Sequence, residues 1–291
     1  MSVVILLYHK VLEDPARALA DPARLSVSDA TFRQQLAVLA AESEIVPLSL
    51  ALWRGPALAR SGGRFACITF DDGYRATLER VSSALRDAGV SGTAFVSPGH
   101  AERPDLYWWD RLALLEEAGL WVRGSGGDYV EAHLRGLEYA SASAWVDSLV
   151  PGWRASGDDA AALRPADWND LRTLDPGAFE LGCHALHHDC LAALPLARVR
   201  RELRRAARAF ADQCLAAIPV LAYPYGYDGC VTTDQVREAV AVHFTWAMSS
   251  VRGRLFEPEP ANRFFLRRVY AEEWDGERFR DELRRAFIEG A

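Results

Sequence analysis

Cysteine, methionine and long apolar runs are scarce in this chain of 291 residues, which has five cysteines and two methionines. The cysteines form no C-x-x-C pair and no closely spaced framework, so a disulfide-stapled scaffold is not expected. Because their number is odd and one lies inside an apolar run, we expect reduced thiols in a reducing compartment. They are Cys67, Cys183, Cys190, Cys214 and Cys230.

Membrane spans and an excess of positive charge are also absent. No stretch approaches the roughly 20 apolar residues of a bilayer-spanning helix. The N-terminal MSVVILLYHK has no basic segment and no small-residue cleavage site before or after its apolar run. It therefore predicts a first β-strand rather than a signal peptide, and a cytoplasmic protein. The net charge of −7 argues against a broad nucleic-acid-binding surface.

Short apolar runs alternate with helical patterns along most of the chain. Such alternation predicts an α/β fold with a parallel sheet, open or closed into a barrel. The runs are rich in Val, Ile, Phe and Tyr on both faces, as buried parallel strands are. The predicted strands are Val3–Tyr8, Phe65–Phe70, Thr93–Ser97, Phe179–Cys183, Val220–Tyr223, His243–Ala247 and Phe265–Tyr270. The predicted helices are Asp29–Ala41, Ala76–Ala88, Trp109–Ala118, Pro195–Ala216, Thr233–Val240 and Glu277–Glu289.

The alternation weakens between about residues 101 and 170, a segment that holds six of the nine tryptophans. We predict that this segment is an insertion over the barrel mouth, within a single catalytic domain that spans residues 1–291. In the helix that covers Arg198–Phe210, the arginines fall on the outer face. This pattern is more typical of a solvated surface than of a nucleic-acid or anionic-lipid patch.

Polar side chains follow four of the predicted strands. Asp71 and Asp72 come directly after one strand, His184 after another, the turn Pro224–Gly226 after a third, and His9 after the first. Chemistry in parallel α/β folds lies at the carboxyl ends of the strands. Two adjacent carboxylates near a core are costly unless a cation or hydrogen bonds compensate them, although a solvated Asp-Asp-Gly turn is the plainer alternative.

His184 and His188 are four residues apart and face one point if the turn after the strand begins a helix. Together with one carboxylate of the Asp pair they would form a three-ligand metal site. Such a site keeps room for water and substrate, which is typical of catalytic metals. His187 is expected to point elsewhere, and Cys190 is disfavoured as a ligand.

Three motifs in this order resemble the polysaccharide deacetylase family, also described as carbohydrate esterase family 4 or NodB-homology proteins. They are TFDDG (residues 69–73), HALHH (residues 184–188) and YPYG (residues 223–226). The resemblance implies a distorted (β/α)7 TIM-like barrel of parallel strands. It also implies hydrolysis of N- or O-acetyl groups on sugars with a divalent metal held by Asp-His-His. The matching core runs from about residue 65 to 226.

The resemblance also implies roles for individual residues. Asp71 matches the catalytic base and Asp72 the metal ligand, which is joined by His184 and His188. Metal-bound water would be the nucleophile, and the backbone N–H of Tyr225 would help to bind the oxyanion. The metal is expected to be zinc, while iron, cobalt and nickel stay open.

The N-terminal LLYHKV (residues 6–11) resembles the opening strand of a permuted branch typified by poly-N-acetylglucosamine deacetylases. In that branch the general-acid histidine lies at the start of the domain, which makes His9 the candidate. The alternative is a histidine packed at a strand end.

The chain departs from the family pattern at three points. Ala222 stands where the third motif has an arginine that steadies the base, and Ala185 stands where Ser or Thr is usual. No D-x-x-D-W segment is present. The late strand FLRRVY could supply the missing cation, and of its two arginines, Arg267 and Arg268, we predict that Arg268 faces inward.

Two neighbouring tryptophans, Trp108 and Trp109, are candidates for stacking on a sugar. The alternative is that they anchor the insertion to the barrel, since large aromatic side chains dominate cores.

The predicted function is metal-dependent removal of an N-acetyl or related N-acyl group from a sugar. A deformylase or an amidohydrolase of a small non-sugar amide is the first alternative, and a catalytically silent carbohydrate-binding barrel is the second. Phosphoester hydrolysis would prefer two metals and more ligands. The expected partner is an N-acylated sugar, with no nucleic acid. The oligomeric state and the choice between monomeric, lipid-linked and polymeric substrates stay open.

Overall fold

The computed structural model describes residues 2–14, 16, 25–122, 127–227, 233–253 and 263–288. Its strands are β1 (Ser2–Tyr8), β2 (Lys10–Leu12), β3 (Ser26–Ser28), β4 (Glu44–Ile45), β5 (Arg64–Phe70), β6 (Gly92–Val96), β7 (Phe179–Cys183), β8 (Val220–Ala222), β9 (Trp246–Arg252) and β10 (Leu266–Tyr270). Its helices are α1 (Asp29–Glu42), α2 (Leu48–Arg60), α3 (Arg75–Asp87), α4 (Pro98–Glu102), α5 (Trp108–Glu117), α6 (Gly127–Arg135), α7 (Tyr139–Leu149), α8 (Gly157–Ala162), α9 (Trp168–Thr173), α10 (Leu196–Asp212), α11 (Asp234–Ala241) and α12 (Gly276–Ile288).

Seven parallel strands close into a barrel, which confirms the predicted (β/α)7 TIM-like fold. The order around the ring is β1, β10, β9, β8, β7, β6 and β5, and β5 pairs with β1 again. All seven correspond to strands predicted from the sequence. The barrel closes because the first strand lies between the last strand and β5, so no edge of this ring is left unpaired.

A helix that was not predicted covers the amino-terminal end of the barrel. Its residues Leu48, Ala51 and Leu52 join the apolar cluster inside this end, together with Val3 and Phe65. The backbone N–H and the hydroxyl of Ser49, in its first turn, both donate to the Glu180 carboxylate on β7. The helix α2 therefore closes the barrel at the end opposite the strand termini that carry the polar motifs.

The segment between β6 and β7 is helical and contains α4 to α9. Residues of α5, α6 and α7 pack into an apolar cluster of their own, which includes Trp108, Leu112, Leu134 and Val146. This segment is tied back to the Asp71–Asp72 loop, because Ala166 donates its N–H to Gly73 O and Arg75 donates its N–H to Arg164 O. The assignment of the whole chain to one catalytic domain stays a prediction.

The predicted strand His243–Ala247 is wrong in its bounds. His243 and Phe244 instead lie in the turn that follows α11, where both donate N–H groups to Val240 O, while β9 begins at Trp246. Phe244 is buried against the core, so the apolar signal that suggested a strand comes from a buried turn.

The four cysteines that the structure describes are free thiols: Cys67, Cys183 and Cys190 are buried, and Cys214 is exposed. Cys230 lies outside the described residues. No described helix combines the length and apolarity that crossing a membrane would require. The cytoplasmic location stays a prediction.

Candidate active site

Strand register brings His9 and Asp71 to the same level of the barrel mouth. β1 and β5 are parallel and pair in register up to Tyr8 and Phe70, the residues directly before His9 and Asp71. The Asp71 N–H donates to Tyr8 O at 2.9 Å and continues the ladder by one bond. The side chains of His9 and Asp71 both line the cavity at this end of the barrel.

Asp71 is held by a two-pronged ion pair with Arg268 on β10. Arg268 Nη1 donates to Asp71 Oδ1 at 2.7 Å, and Nη2 donates to Oδ2 at 2.6 Å. The guanidinium is fully buried, and it also donates to Thr69 Oγ1 and to the backbone oxygen of Ser249. Arg267 is only partly buried, so Arg268 is the inward-facing arginine of this strand. Bidentate pairs of this kind fix geometry as well as charge.

The charge of Arg268 decides the protonation state of Asp71. Burial alone would raise the pKa of the Asp71 carboxyl, but the charge and hydrogen bonds of Arg268 outweigh it and hold this pKa below its ordinary value. Asp71 is therefore ionised near neutral pH, which a proton acceptor requires.

Asp72, His184 and His188 form a buried three-ligand cluster, in which one ligand atom of each lies within 4.8 Å of the others. Asp72 Oδ1 is 3.4 Å from His184 Nε2 and 3.1 Å from His188 Nε2. Apart from these two contacts, the buried Asp72 Oδ1 has no hydrogen-bond partner. His187 and Cys190 are not part of the cluster.

The hydrogen bonds of this cluster suit a divalent cation. His184 Nδ1 lies 2.8 Å from the backbone oxygen of Ala222, so this nitrogen carries the proton and Nε2 is left with its lone pair toward Asp72. Two imidazole nitrogens and one carboxylate are the donor set of three-ligand catalytic sites. A buried carboxylate oxygen that no donor satisfies is costly in itself, and a cation at this point would compensate it.

Left-handed backbone is concentrated at this site. Of the described non-glycine residues, five have positive φ, and four of them belong to the motifs: Asp72 (68°), Ala185 (56°), His188 (60°) and Tyr225 (61°). The fifth is Cys214. Side chains with a Cβ adopt this region at a cost of about 1–3 kcal/mol each, and such residues cluster at functional sites. Two of the three cluster ligands are thus held in strained backbone.

The Pro224–Gly226 turn lies at the cavity, which Tyr225 lines. Gly226 donates its N–H to Pro224 O, and Ser250 holds the turn to β9 through Gly226 O and Tyr225 O. The Tyr225 N–H has no acceptor among the described residues. A free N–H at a cavity wall is suited to bind a developing negative charge.

His9 lines the same cavity as His188, and its ring stacks on Tyr270 with the centroids 6.0 Å apart. Burial lowers the pKa of His9 below its ordinary value, although the charges of Asp72 and Asp71 oppose this shift. His9 therefore lines the same cavity as the carboxylates and gives up its proton more readily than a solvated histidine.

A family model for polysaccharide deacetylases matches residues 59–243, which is more than half of the chain. The chain belongs to the polysaccharide deacetylase family. It is therefore a hydrolase, a carbohydrate deacetylase that acts on amide bonds of sugars. No curated protein matches it by sequence.

Solved structures of deacetylases share the fold of this family member at low identity. The Streptococcus pyogenes deacetylase PplD, in complex with acetate, is 14% identical with a TM-score of 0.66, and 98% of each chain is covered. IcaB from Ammonifex degensii is 17% identical with a TM-score of 0.60, covering 93% of this chain and 91% of that chain. A de-N-acetylase from Aggregatibacter actinomycetemcomitans is 12% identical with a TM-score of 0.61, covering 95% of this chain and 96% of that chain.

The helical segment of this deacetylase contributes an aromatic wall to the site. Trp109 lies against His188, with ring centroids 4.6 Å apart, and stacks on Tyr107 at 4.4 Å. Tyr107 in turn donates its hydroxyl to the backbone oxygen of Asp72. Trp108 is only 1% exposed and belongs to the apolar cluster of the segment. Its burial favours the anchoring role over sugar stacking, whereas Trp109 is only partly buried.

A polar network that was not predicted joins this wall to the barrel. Lys10, next to His9, donates to Asp110 Oδ1 at 2.8 Å, and the Tyr74 hydroxyl donates to Asp110 Oδ2 at 2.7 Å. Trp109 Nε1 donates to the Tyr74 hydroxyl at 3.0 Å. Tyr74 directly follows the TFDDG motif, and Trp109 and Asp110 are adjacent, but no spacing rule relates Lys10 to Asp110 across 100 residues.

The deacetylase site opens into a cavity of about 640 Å³. The cavity is lined by His9, Asp71, the three residues of the cluster, Trp108, Trp109 and Tyr225. This volume lies within the range of about 300–1,000 Å³ that is typical of small-ligand pockets. A sugar unit with its acyl group fits such a space.

Proposed function

We propose that this deacetylase removes an N-acetyl or related N-acyl group from an amino sugar, with a divalent cation held by Asp72, His184 and His188. The observation that carries the proposal is that two adjacent carboxylates have different partners. Asp71 is paired with Arg268, whereas Asp72 Oδ1 faces two imidazole nitrogens. A site with one paired and one unpaired carboxylate suits a proton acceptor beside a cation ligand.

A bound cation would polarise the acyl carbonyl and lower the pKa of a water molecule toward neutrality. The mixed nitrogen and oxygen donors favour zinc, although iron, cobalt and nickel accept the same set.

Asp71 is the proposed proton acceptor. Each of its oxygens accepts one bond from Arg268 and keeps a second lone pair for water. Because the pKa of Asp71 is low, it is a weak base that stays ionised. As a weak base, Asp71 is suited to accept a proton from water whose pKa a bound cation has lowered, rather than from bulk water.

Two further groups complete the proposed reaction. The Tyr225 N–H donates to the oxyanion of the tetrahedral intermediate. His9 gives a proton to the departing amine nitrogen, so that the C–N bond breaks to leave a carboxylic acid and a free amine. The same role for His9 is the one that the resemblance of residues 6–11 to a permuted branch of the family implies.

Acetate release from N-acetylated amino sugars, monomers through oligomers, tests the proposal. We expect release that requires added divalent cation. Asp71→Asn should lose about 10²–10⁴-fold in turnover yet retain the cation, whereas Asp72→Asn should lose the cation as well. Release of formate from N-formyl analogues alone would favour the deformylase alternative. An Asp71→Asn variant with unchanged turnover would contradict the proposed base.

A further inference from the structure

The outer face of α10 carries a row of exposed arginines. The opposite face of the helix is apolar, with Val199, Leu203 and Phe210 buried in the core. The exposed residues of the row recur three, four and seven residues apart and therefore share one side of the helix. The row consists of Arg200, Arg201, Arg204, Arg205 and Arg208, and we call it the arginine row.

None of these arginines pairs with a carboxylate in the part of the chain that the structure describes. Arg198, at the start of the same helix, pairs with Glu202. Elsewhere many surface arginines are paired, for example Arg86 with Asp175 and Arg237 with Asp234. A solvated surface helix gains a few tenths of a kcal/mol from each oppositely charged pair. Glu202, the acid nearest to Arg201 and Arg205, is buried and paired with Arg198, so the arginine row presents like charges to solvent that repel one another.

The positive charge of the arginine row also affects the neighbouring helix, α11. α10 and α11 pack side by side, and partial burial together with Arg204 and Arg208 lowers the pKa of His243 below its ordinary value. Val242, next to His243, is 71% exposed. The surface therefore combines a cationic strip with an exposed apolar side chain beside it.

The shape of the strip indicates its partner. From Arg200 to Arg208 the row extends about 12 Å along a convex helix, without a pocket whose donors converge on one anion. It also lacks exposed aromatic side chains on which bases could stack, which single-stranded nucleic acids require. A plane of many phosphate headgroups meets such a row at several points at once, and an apolar side chain can enter between the headgroups.

We propose that the arginine row docks this protein on an anionic lipid surface. The proposal does not depend on the hydrolytic function. α10 begins at Leu196, shortly after the loop that holds His188, so docking would hold the cavity mouth close to the lipid headgroups.

Vesicle flotation with purified protein tests the proposal. We expect binding to vesicles that contain phosphatidylserine and none to vesicles of phosphatidylcholine alone, with binding weakened by added salt. The triple variant Arg201→Gln, Arg204→Gln and Arg205→Gln should bind about 100-fold more weakly, at about fivefold for each arginine near the surface. The triple lysine variant at these positions should retain binding, since the charge is kept.

The matched control removes three arginines that are exposed but scattered. Arg54→Gln, Arg103→Gln and Arg154→Gln change the net charge by the same amount, and these side chains lie on different elements. The control should bind phosphatidylserine vesicles as the unmodified protein does, and circular dichroism should show that both variants fold. Equal loss in both triple variants, no binding of the unmodified protein, or binding to a homopolymer RNA in place of vesicles would overturn the proposal.

Discussion

At the scale of single residues, the contact between Arg268 and Asp71 governs the acid side of the reaction. Arg268→Met would leave a buried carboxylate without its counter-ion, so the pKa of Asp71 should rise. Because Asp71, as the proposed base, would act only when ionised, the acidic limb of the pH–rate profile should move to higher pH. Breaking a buried pair should also cost about 3–5 kcal/mol in the free energy of unfolding.

The control for this variant is Arg267→Met, which removes the neighbouring arginine of the same strand. Arg267 is partly exposed, so its loss should leave the acidic limb in place. Rate measurements across pH test whether the acidic limb moves in each variant, and thermal unfolding tests whether stability is lost. Identical acidic limbs for Arg268→Met and the unmodified protein would disprove the expected link.

Gly226 permits the turn that presents the Tyr225 N–H. It has φ of +60°, and a Cβ at this position would lie 2.5 Å from the backbone nitrogen of Ser250. Gly226→Ala should therefore displace the turn and lower kcat more than it raises KM, while cation binding persists. Gly119→Ala is the matched control, because Gly119 has φ of +66° with no atom near its Cβ position. It should cost only about 1 kcal/mol in stability and leave kcat unchanged.

How far the site could be predicted depended on whether its residues sit in local patterns. Asp71, Asp72, His184 and His188 occur in short motifs at strand ends, so the sequence indicates where they meet. Arg268 required a different argument, from strand alternation and a missing cation. Lys10 and Asp110 are 100 residues apart in the sequence. No local pattern relates the two positions, so their ion pair could not be predicted from the sequence.

At the scale of elements, the Lys10–Asp110 pair fastens the helical segment to the barrel mouth. Asp110→Leu removes the acceptor of both Lys10 and the Tyr74 hydroxyl. We expect faster amide hydrogen exchange in α5 and a loss of unfolding free energy toward the lower end of about 3–5 kcal/mol. The loss is expected at the lower end because Lys10 keeps some contact with solvent.

The comparison for this variant is Arg111→Met in the same helix. Arg111 is mostly buried and also donates to Ser143 Oγ, but the Asp147 carboxylate with which it pairs is half exposed, so its loss should cost about 1 kcal/mol. Unfolding curves and exchange rates of the two variants should differ clearly. If the two sets of measurements coincide, the Lys10–Asp110 pair stabilises the protein no more than the Arg111–Asp147 pair does.

The elements that the sequence predicted best have a continuous apolar run or a clear apolar face. Six of the seven barrel strands and α10 were predicted close to their observed positions, whereas β9 begins at Trp246, three residues later than predicted. β2, β3 and β4 have only two or three residues each and carry no period. The helix α2 was missed because it has apolar residues on its exposed side too: Leu50 and Trp53 are 39% and 49% exposed, which blurs its buried face.

At the scale of the whole molecule, the proposed cation should link binding to stability. At about a thousandfold excess over Kd it would add about 4 kcal/mol to the free energy of unfolding, or several degrees in Tm. Chelation should therefore lower the Tm of the unmodified protein. His188→Ala should have a low Tm that chelation does not change further. A chelator that leaves the unmodified Tm unchanged would argue against a resident cation.

The closure of the barrel by its first and last strands has a consequence for biosynthesis. Asp71 and Arg268 are 197 residues apart, so a ribosome adding about 5–20 residues per second makes the carboxylate about 10–40 s before its counter-ion. During that interval the nascent chain holds the metal-binding motif but lacks both the closing strand and the buried cation. A ribosome that stalls before residue 268 would release a chain with an open sheet edge and an uncompensated charge. Synthesis of β10 therefore sets the earliest moment at which the barrel can close and Asp71 can be paired.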